Sequence, residues 1–307
     1  MVDSRNLKAL RQLKKKLILH EFERGEVASV LEVASDPKTS EERDIVARCH
    51  YELAKVACAH EDFGEARTHA VAVEQLKPSD RSIRALNSER LKLLCARPAV
   101  MKMPNHFFPG VVDVDEIGSV AVLGKYEARG HKSGLTEAIL LLKKAPEEMD
   151  DASRAARPEL IDRLGLLMWD LLRATPIAET ADLLIPVPPD PERFALRTYH
   201  PPDAIAKALS KYSIIPQETD VLVKLRPTKS LRELNREERE RELRGSMAVA
   251  NERDFLVRER CVLLVDDVVT WGTHFREARN VLLHAGARCV HAIALATAHG
   301  YPDPIWL

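Results

Sequence analysis

Residues 261–274 read Cys261-Val-Leu-Leu-Val-Asp266-Asp267-Val-Val-Thr270-Trp271-Gly272-Thr273-His274. The four residues Val262 to Val265 form a short continuous apolar run, the pattern of a strand buried on both faces of a parallel sheet. Two carboxylates close the run, and a loop with Thr270, Gly272 and Thr273 follows. Phe275, Ala278, Leu282 and Ala285 then recur on one helical face, with Gly286 at its end. A second apolar run from Cys289 to about Ala296 completes a βαβ unit.

The chemistry of this stretch is that of an anion site with an acidic rim. Backbone N–H groups of the glycine-containing loop and of the helix N-terminus converge, and the helix dipole favours negative charge there. Thr270 and Thr273 add hydroxyl donors, and Gly272 lets the backbone approach without a Cβ. Asp266 and Asp267 would repel that anion, so they suit the paired hydroxyls of a sugar. A phosphate on the loop and a ribose diol on the acids describe a ribose 5-phosphate. The bland alternative is an acidic pair that merely ends a Rossmann-like strand.

Outward from this unit, Ser119-Val120-Ala121-Val122-Leu123 and Leu183-Leu184-Ile185-Pro186-Val187 are further strand-like runs alternating with amphipathic helices. The fold class expected is therefore α/β, a mostly parallel sheet flanked by helices. The first hundred residues are different: helix follows helix, so an all-α helical-repeat-like domain precedes the α/β part. Between His50 and Asp80, Leu53, Ala54 and Ala57 share one helical face, Glu61-Asp62-Phe63-Gly64 makes a turn, and Ala66, Ala70 and Val73 share the next face. Pro78-Ser79-Asp80 ends the unit and caps a further helix. This hairpin resembles a tetratricopeptide repeat and would have to stack on helices at roughly 5–35 and 80–96. Either a groove for a protein partner in residues 1–97 or an ordinary bundle packed on the rest of the chain fits the pattern. Pro98, Pro104 and Pro109-Gly110 interrupt it, so residues 98–117 read as a linker and 118–307 as the second domain.

Composition sets the frame. The 307 residues are 45% hydrophobic and 30% charged with a net charge of -1, which excludes a disordered chain and argues against binding nucleic acid or membrane by bulk charge. Aromatics at 5% and only 12 glycines disfavour large antiparallel barrels and sandwiches. Cys49, Cys58, Cys95, Cys261 and Cys289 are widely spaced and read as five reduced, mostly buried thiols. The eleven histidines, among them His284, His291 and His299, show no ligand spacing, so no protein-bound metal is assigned. The apolar run after Lys14-Lys15-Lys16 is too short for a signal or a span, so a cytoplasmic protein without membrane contact is expected.

The strand–acid–acid–loop segment resembles the diphosphate-sugar signature of type I phosphoribosyltransferases. Other pieces resemble the ComF (competence protein F) family: Leu184-Ile185-Pro186-Val187-Pro188, Arg197-Thr198-Tyr199-His200, Lys224-Leu225-Arg226-Pro227-Thr228, the arginine-rich run from Arg239 to Met247, and faintly Lys125-Tyr126 and Leu142-Lys143-Lys144. The resemblance spans roughly residues 118–299. It implies a type I phosphoribosyltransferase-like sheet and a substrate, 5-phosphoribosyl 1-diphosphate, that brings Mg²⁺ with it.

Residue by residue, Asp266 and Asp267 would hold the ribose, and Val268, Val269, Thr270, Trp271, Gly272, Thr273 and His274 the 5-phosphate. Arg197, Lys224, Arg226 and Arg239 are candidates for the diphosphate. The family's zinc-binding N-terminal element has no counterpart. Trp271 stands where a threonine is usual, and it would either crowd the phosphate or point out to stack on a base or partner. Residues 224–244 read as a solvated helix with Glu237–Arg241 and Glu240–Arg244 pairs, as a hood over the diphosphate, or less readily as a single-stranded DNA contact, since no aromatics interleave. An active transferase and a non-catalytic phosphoribosyl or nucleotide sensor, signalling through the helical domain and linked to DNA uptake or processing, are the rival functions.

Overall fold

The computed structural model describes residues 4–34, 36–97, 110–114, 118–127, 132–197, 199–229, 234–298 and 305–306. Five helices come first: α1 (Ser4–Leu19), α2 (Arg24–Val33), α3 (Ser40–Ala59), α4 (Phe63–Leu76) and α5 (Arg81–Cys95). They start where the sequence supplies caps. Thr39 and Glu42 form a reciprocal capping box on α3, the Asp62 carboxylate caps α4, and Asp80 caps α5 through the Ser82 and Ile83 N–H groups. Leu53, Ala54, Ala57, Ala66, Ala70 and Val73 are buried, so the small residues do bring α3 and α4 together.

The rest is a mixed α/β assembly: β1 (Gly110–Val114), β2 (Gly118–Tyr126), α6 (Gly134–Lys143), α7 (Asp151–Arg173), α8 (Ile177–Thr180), β3 (Leu183–Pro186), α9 (Pro191–Arg197), α10 (Pro201–Ser213), β4 (Leu222–Lys224), α11 (Arg236–Leu243), β5 (Met247–Val249), α12 (Asp254–Val257), β6 (Cys261–Val269), α13 (Thr273–His284), β7 (Cys289–Ala298) and β8 (Ile305–Trp306). The main sheet runs β3-β6-β7-β2-β1-β8. Its β3, β6, β7 and β2 are parallel, whereas β1 is antiparallel to β2 and β8 to β1. Strand β1 thus lies inside the segment read as a linker, and the remainder of 98–117, apart from 110–114, is outside the described residues.

Period-two alternation assigns the two faces of the sheet. Val262, Leu264, Val290, Ala292 and Ala294 pack with α12 and α13 and with Tyr51, Val73, Ile83 and Leu86 of the N-terminal helices. Leu263, Val265, Ile293 and Leu295 pack with α6, α7 and α10. The helical layer therefore shares a core with the sheet. No helix among the described residues is long and apolar enough to cross a membrane.

One sequence expectation fails outright. Cys261 and Cys289 are not free thiols: they face each other across the β6–β7 register, 4.7 Å apart at Cα, and form a disulfide. Spacing along the chain could not reveal it, because a parallel crossover, not proximity in sequence, makes them neighbours. Cys49 and Cys58 are free and buried, and Cys95 is free and exposed.

The α7–α10 crossing depends on Gly165, where a Cβ would lie 2.6 Å from the Ala208 carbonyl carbon and Cβ. Backbone cannot yield as a flexible side chain would, so Gly165→Ala should force the helices apart. We expect a loss of about 1–3 kcal/mol, read as a lower urea midpoint at unchanged slope.

Candidate functional site

The loop after β6 builds the recess. Gly272 sits at φ 67°, ψ 5° as the N-cap of α13, a left-handed conformation that a β-carbon resists. Asp266, Val268, Val269, Thr270, Gly272, Thr273, His274 and Phe275 line a shallow, open recess at the C-terminal end of the central strand. Loops at strand C-termini are where open α/β sheets bind ligands. All the loop residues singled out in the sequence border it except Trp271, whose indole is 46% exposed. That side chain points outward and lies under the Arg239 guanidinium, 5.8 Å from it. It does not fill the recess.

The two adjacent acids are not equivalent. Successive strand residues face opposite sides of the sheet, so Asp266 lines the recess while Asp267 faces α6, where its Oδ2 lies 3.1 Å from Lys143 Nζ. The Asp267 N–H donates to Asp266 Oδ1 at 2.8 Å. Burial and then the neighbouring Asp267 charge push the Asp266 carboxyl up to about 8. Lys143 also sits 5.8 Å from the Tyr126 ring. Lys143 therefore belongs to the site, and the Lys125-Tyr126 and Leu142-Lys143-Lys144 elements are its signal in the sequence, since Tyr126 and Lys143 meet beside Asp267.

The proposed diphosphate residues are spread more widely. Lys224 is buried, donating to Asp190 Oδ2 at 3.1 Å and Thr228 Oγ1 at 2.6 Å, so its ammonium is already engaged. Arg226 holds Glu242 through the Glu242 carbonyl at 2.6 Å and a carboxylate contact at 3.4 Å. Arg239 donates to the Leu234 carbonyl at 2.7 Å. Arg197 ends α9, and its side chain, like Thr198 and His299, lies outside the described residues. His200 donates Nε2–H to the Val187 carbonyl at 2.7 Å. Burial lowers its imidazole against the opposing pull of that carbonyl and of Asp267.

Residues 222–249 leave the main sheet as a two-stranded antiparallel ribbon, β4 with β5, carrying α11 between them. Glu240 of α11 pairs with Arg276 at 2.8 Å, and Glu277 accepts the Gly245 N–H at 2.6 Å, so the ribbon docks on α13 beside the recess. Among the described residues, Cys261, Cys289 and His291 are the group of three with metal-donor atoms close together, and the disulfide uses both sulfurs.

The raised Asp266 carboxyl has a signed consequence. In the unfolded chain it ionises near pH 4, in the folded protein near 8, so stability is lost as pH rises through that window. Asp266→Asn removes the loss. The variant should match the wild type near pH 4 and become progressively more stable up to pH 8, beyond which the difference is flat, as followed by thermal unfolding at each pH.

No family model matches the chain. Over 117 residues it is 28% identical to "Competence protein F" of Haemophilus influenzae, a stretch that is 38% of this chain and 51% of that protein. The chain thus spans about half the length of the curated relative it matches. This distant similarity supports a ComF-like protein, in line with the parallel sheet and with the motifs from which the resemblance was drawn.

Proposed function

We propose that the chain is a ComF-like phosphoribosyltransferase that binds 5-phosphoribosyl 1-diphosphate with Mg²⁺ and transfers the phosphoribosyl group to an acceptor. The observation that carries this reading is the recess itself: a glycine-capped helix N-terminus, two threonines and a carboxylate converge at the end of the central strand. In it the loop N–H groups and the Thr270 and Thr273 hydroxyls hold the 5-phosphate. Asp266, once ionised, accepts from a ribose hydroxyl.

The donor set suits a hard cation carried by the ligand, because Asp266 offers carboxylate oxygens in the recess and Asp267 offers its own at the rim beside Lys143. When bound, Mg²⁺ offsets the diphosphate charge. Lys143, held by Asp267, adds a cation at the same rim and is better placed for this than the buried Lys224. As the bond from C1′ to the diphosphate oxygen breaks, the electron pair leaves with diphosphate and the acceptor's lone pair forms the new bond. The protein orients and neutralises, with no protein nucleophile required.

Two features favour the rival reading of a phosphoribosyl or nucleotide sensor: an exposed Trp271 in the loop and an Asp266 held protonated at neutral pH. Calorimetric titration with 5-phosphoribosyl 1-diphosphate and Mg²⁺ separates the readings. Binding is expected for the wild type, weakened at least 10-fold by Asp266→Asn with Asp267→Asn, and stronger at pH 8.5 than at 6.5. No binding sinks the transferase and the phosphoribosyl form of the sensor; binding without diphosphate release over a panel of bases and amines leaves the sensor. Trp271→Thr should leave phosphate binding intact, since the indole points away from the recess.

A further inference from the structure

At the opposite end of β6, the seam between the helical layer and the sheet encloses a cluster of charge centred on Tyr51. The Arg90 guanidinium lies 4.7 Å from that ring's centroid, Lys55 Nζ 5.7 Å, Arg260 5.9 Å and Arg48 6.0 Å. All four cations are at most 3% exposed. Their partners are fewer. Arg48 donates to Glu52 at 2.7 Å, and Lys55 bridges Glu52 and Asp182, each at 2.8 Å. Arg260 reaches Asp80 at 2.8 Å and the Ser82 hydroxyl, and Asp80 is half-exposed at the rim.

Both buried carboxylates are ionised. Burial opposes this at Asp182, but Lys55, Arg260 and Arg48 outweigh it; at Glu52, Lys55 and Arg48 do the same. Four cations therefore face two buried carboxylates and one at the rim. Arg288, 3.9 Å from Asp182, adds a further positive charge. Burial raises the Tyr51 phenol, so it supplies no compensating charge.

The donors left over point the same way. Nε, Nη1 and Nη2 of Arg90, Nε and Nη1 of Arg260, Nη2 of Arg48 and the Tyr51 hydroxyl are all buried without a hydrogen-bond partner among the described residues. The Tyr51 hydroxyl comes close to Arg90, yet no bond of acceptable geometry joins them. Guanidinium cannot discharge itself by losing a proton. An uncompensated buried cation with open donors is strongly destabilising. A water molecule would accept bonds from at most two donors and neutralise nothing.

We propose that this seam holds a small monovalent anion of halide size, bound by Arg90 and Arg260 with Arg48 and the Tyr51 hydroxyl completing its donors. The anion offsets the excess positive charge where α3, α5 and β6 meet, and so locks the helical layer to the sheet. It is independent of the sugar-phosphate site, which lies at the other end of the strand.

The full chain is prepared in sodium gluconate, and gluconate is replaced by chloride or bromide at constant ionic strength and pH. The expected result is a saturating rise in Tm, on the order of 5 °C, in the wild type and none in Arg90→Met. Equal responses of wild type and Arg90→Met, or no response in the wild type, overturn the proposal. If Arg90→Met does not fold, wild-type crystals grown with bromide decide. An anomalous peak between Arg90 and Arg260 supports the site; density there without an anomalous signal, or no density, overturns it.

Discussion

The Asp182 carboxylate is the joint on which the architecture turns. It is fully buried just before β3, accepts the Cys261 N–H at 2.8 Å at the start of β6, and takes Lys55 of α3 at 2.8 Å. One side chain thus aligns two neighbouring parallel strands at their N-terminal ends and ties the helical layer to both. Removing either partner would leave a bare charge in a medium that solvates it poorly, which is why such a pair constrains far more than its own Coulomb energy suggests. Register follows from it: Leu183 faces Val262 and Pro186 faces Val265, which places Asp266 one residue beyond the end of β3.

Two aspartates at opposite ends of the sheet are driven to opposite charge states by their surroundings. Asp182, burial notwithstanding, is held ionised by Lys55, Arg260 and Arg48. Asp266 is buried too, at the edge of the recess, but its nearest charge is another carboxylate, and the cation available, Lys143, is taken by Asp267. The first arrangement makes a permanent joint. The second stores an unmet demand for positive charge or a hydrogen-bond donor, which a hydroxyl-bearing or cation-carrying ligand can meet.

The fold was legible where local pattern and tertiary environment agree. The run Val262–Val265, the acid pair and Gly272 gave strand, turn and helix in register, because a doubly buried strand must be apolar throughout and a left-handed cap favours glycine. The small residues of α3 and α4 likewise announced their hairpin. What stayed hidden was set by partners distant in sequence. Nothing local marks Cys289 as the neighbour of Cys261, Lys143 as the partner of Asp267, or Asp190 as the sink for Lys224. Lysines and arginines look alike in a sequence whether they face solvent, as in part Arg226 does, or lie in the seam like Arg90. The β4–β5 ribbon was legible only as a charged stretch, since three-residue strands carry too little periodicity to declare themselves.

The bond between Cys261 and Cys289 also changes the topology of the chain. It closes a covalent ring whose ends are 28 residues apart in sequence, and the acid pair, the loop and all of α13 lie on that ring. A single backbone scission anywhere between the two sulfurs therefore yields no free fragment. The two cut ends remain parts of one molecule, each still stitched into a neighbouring strand of the same sheet.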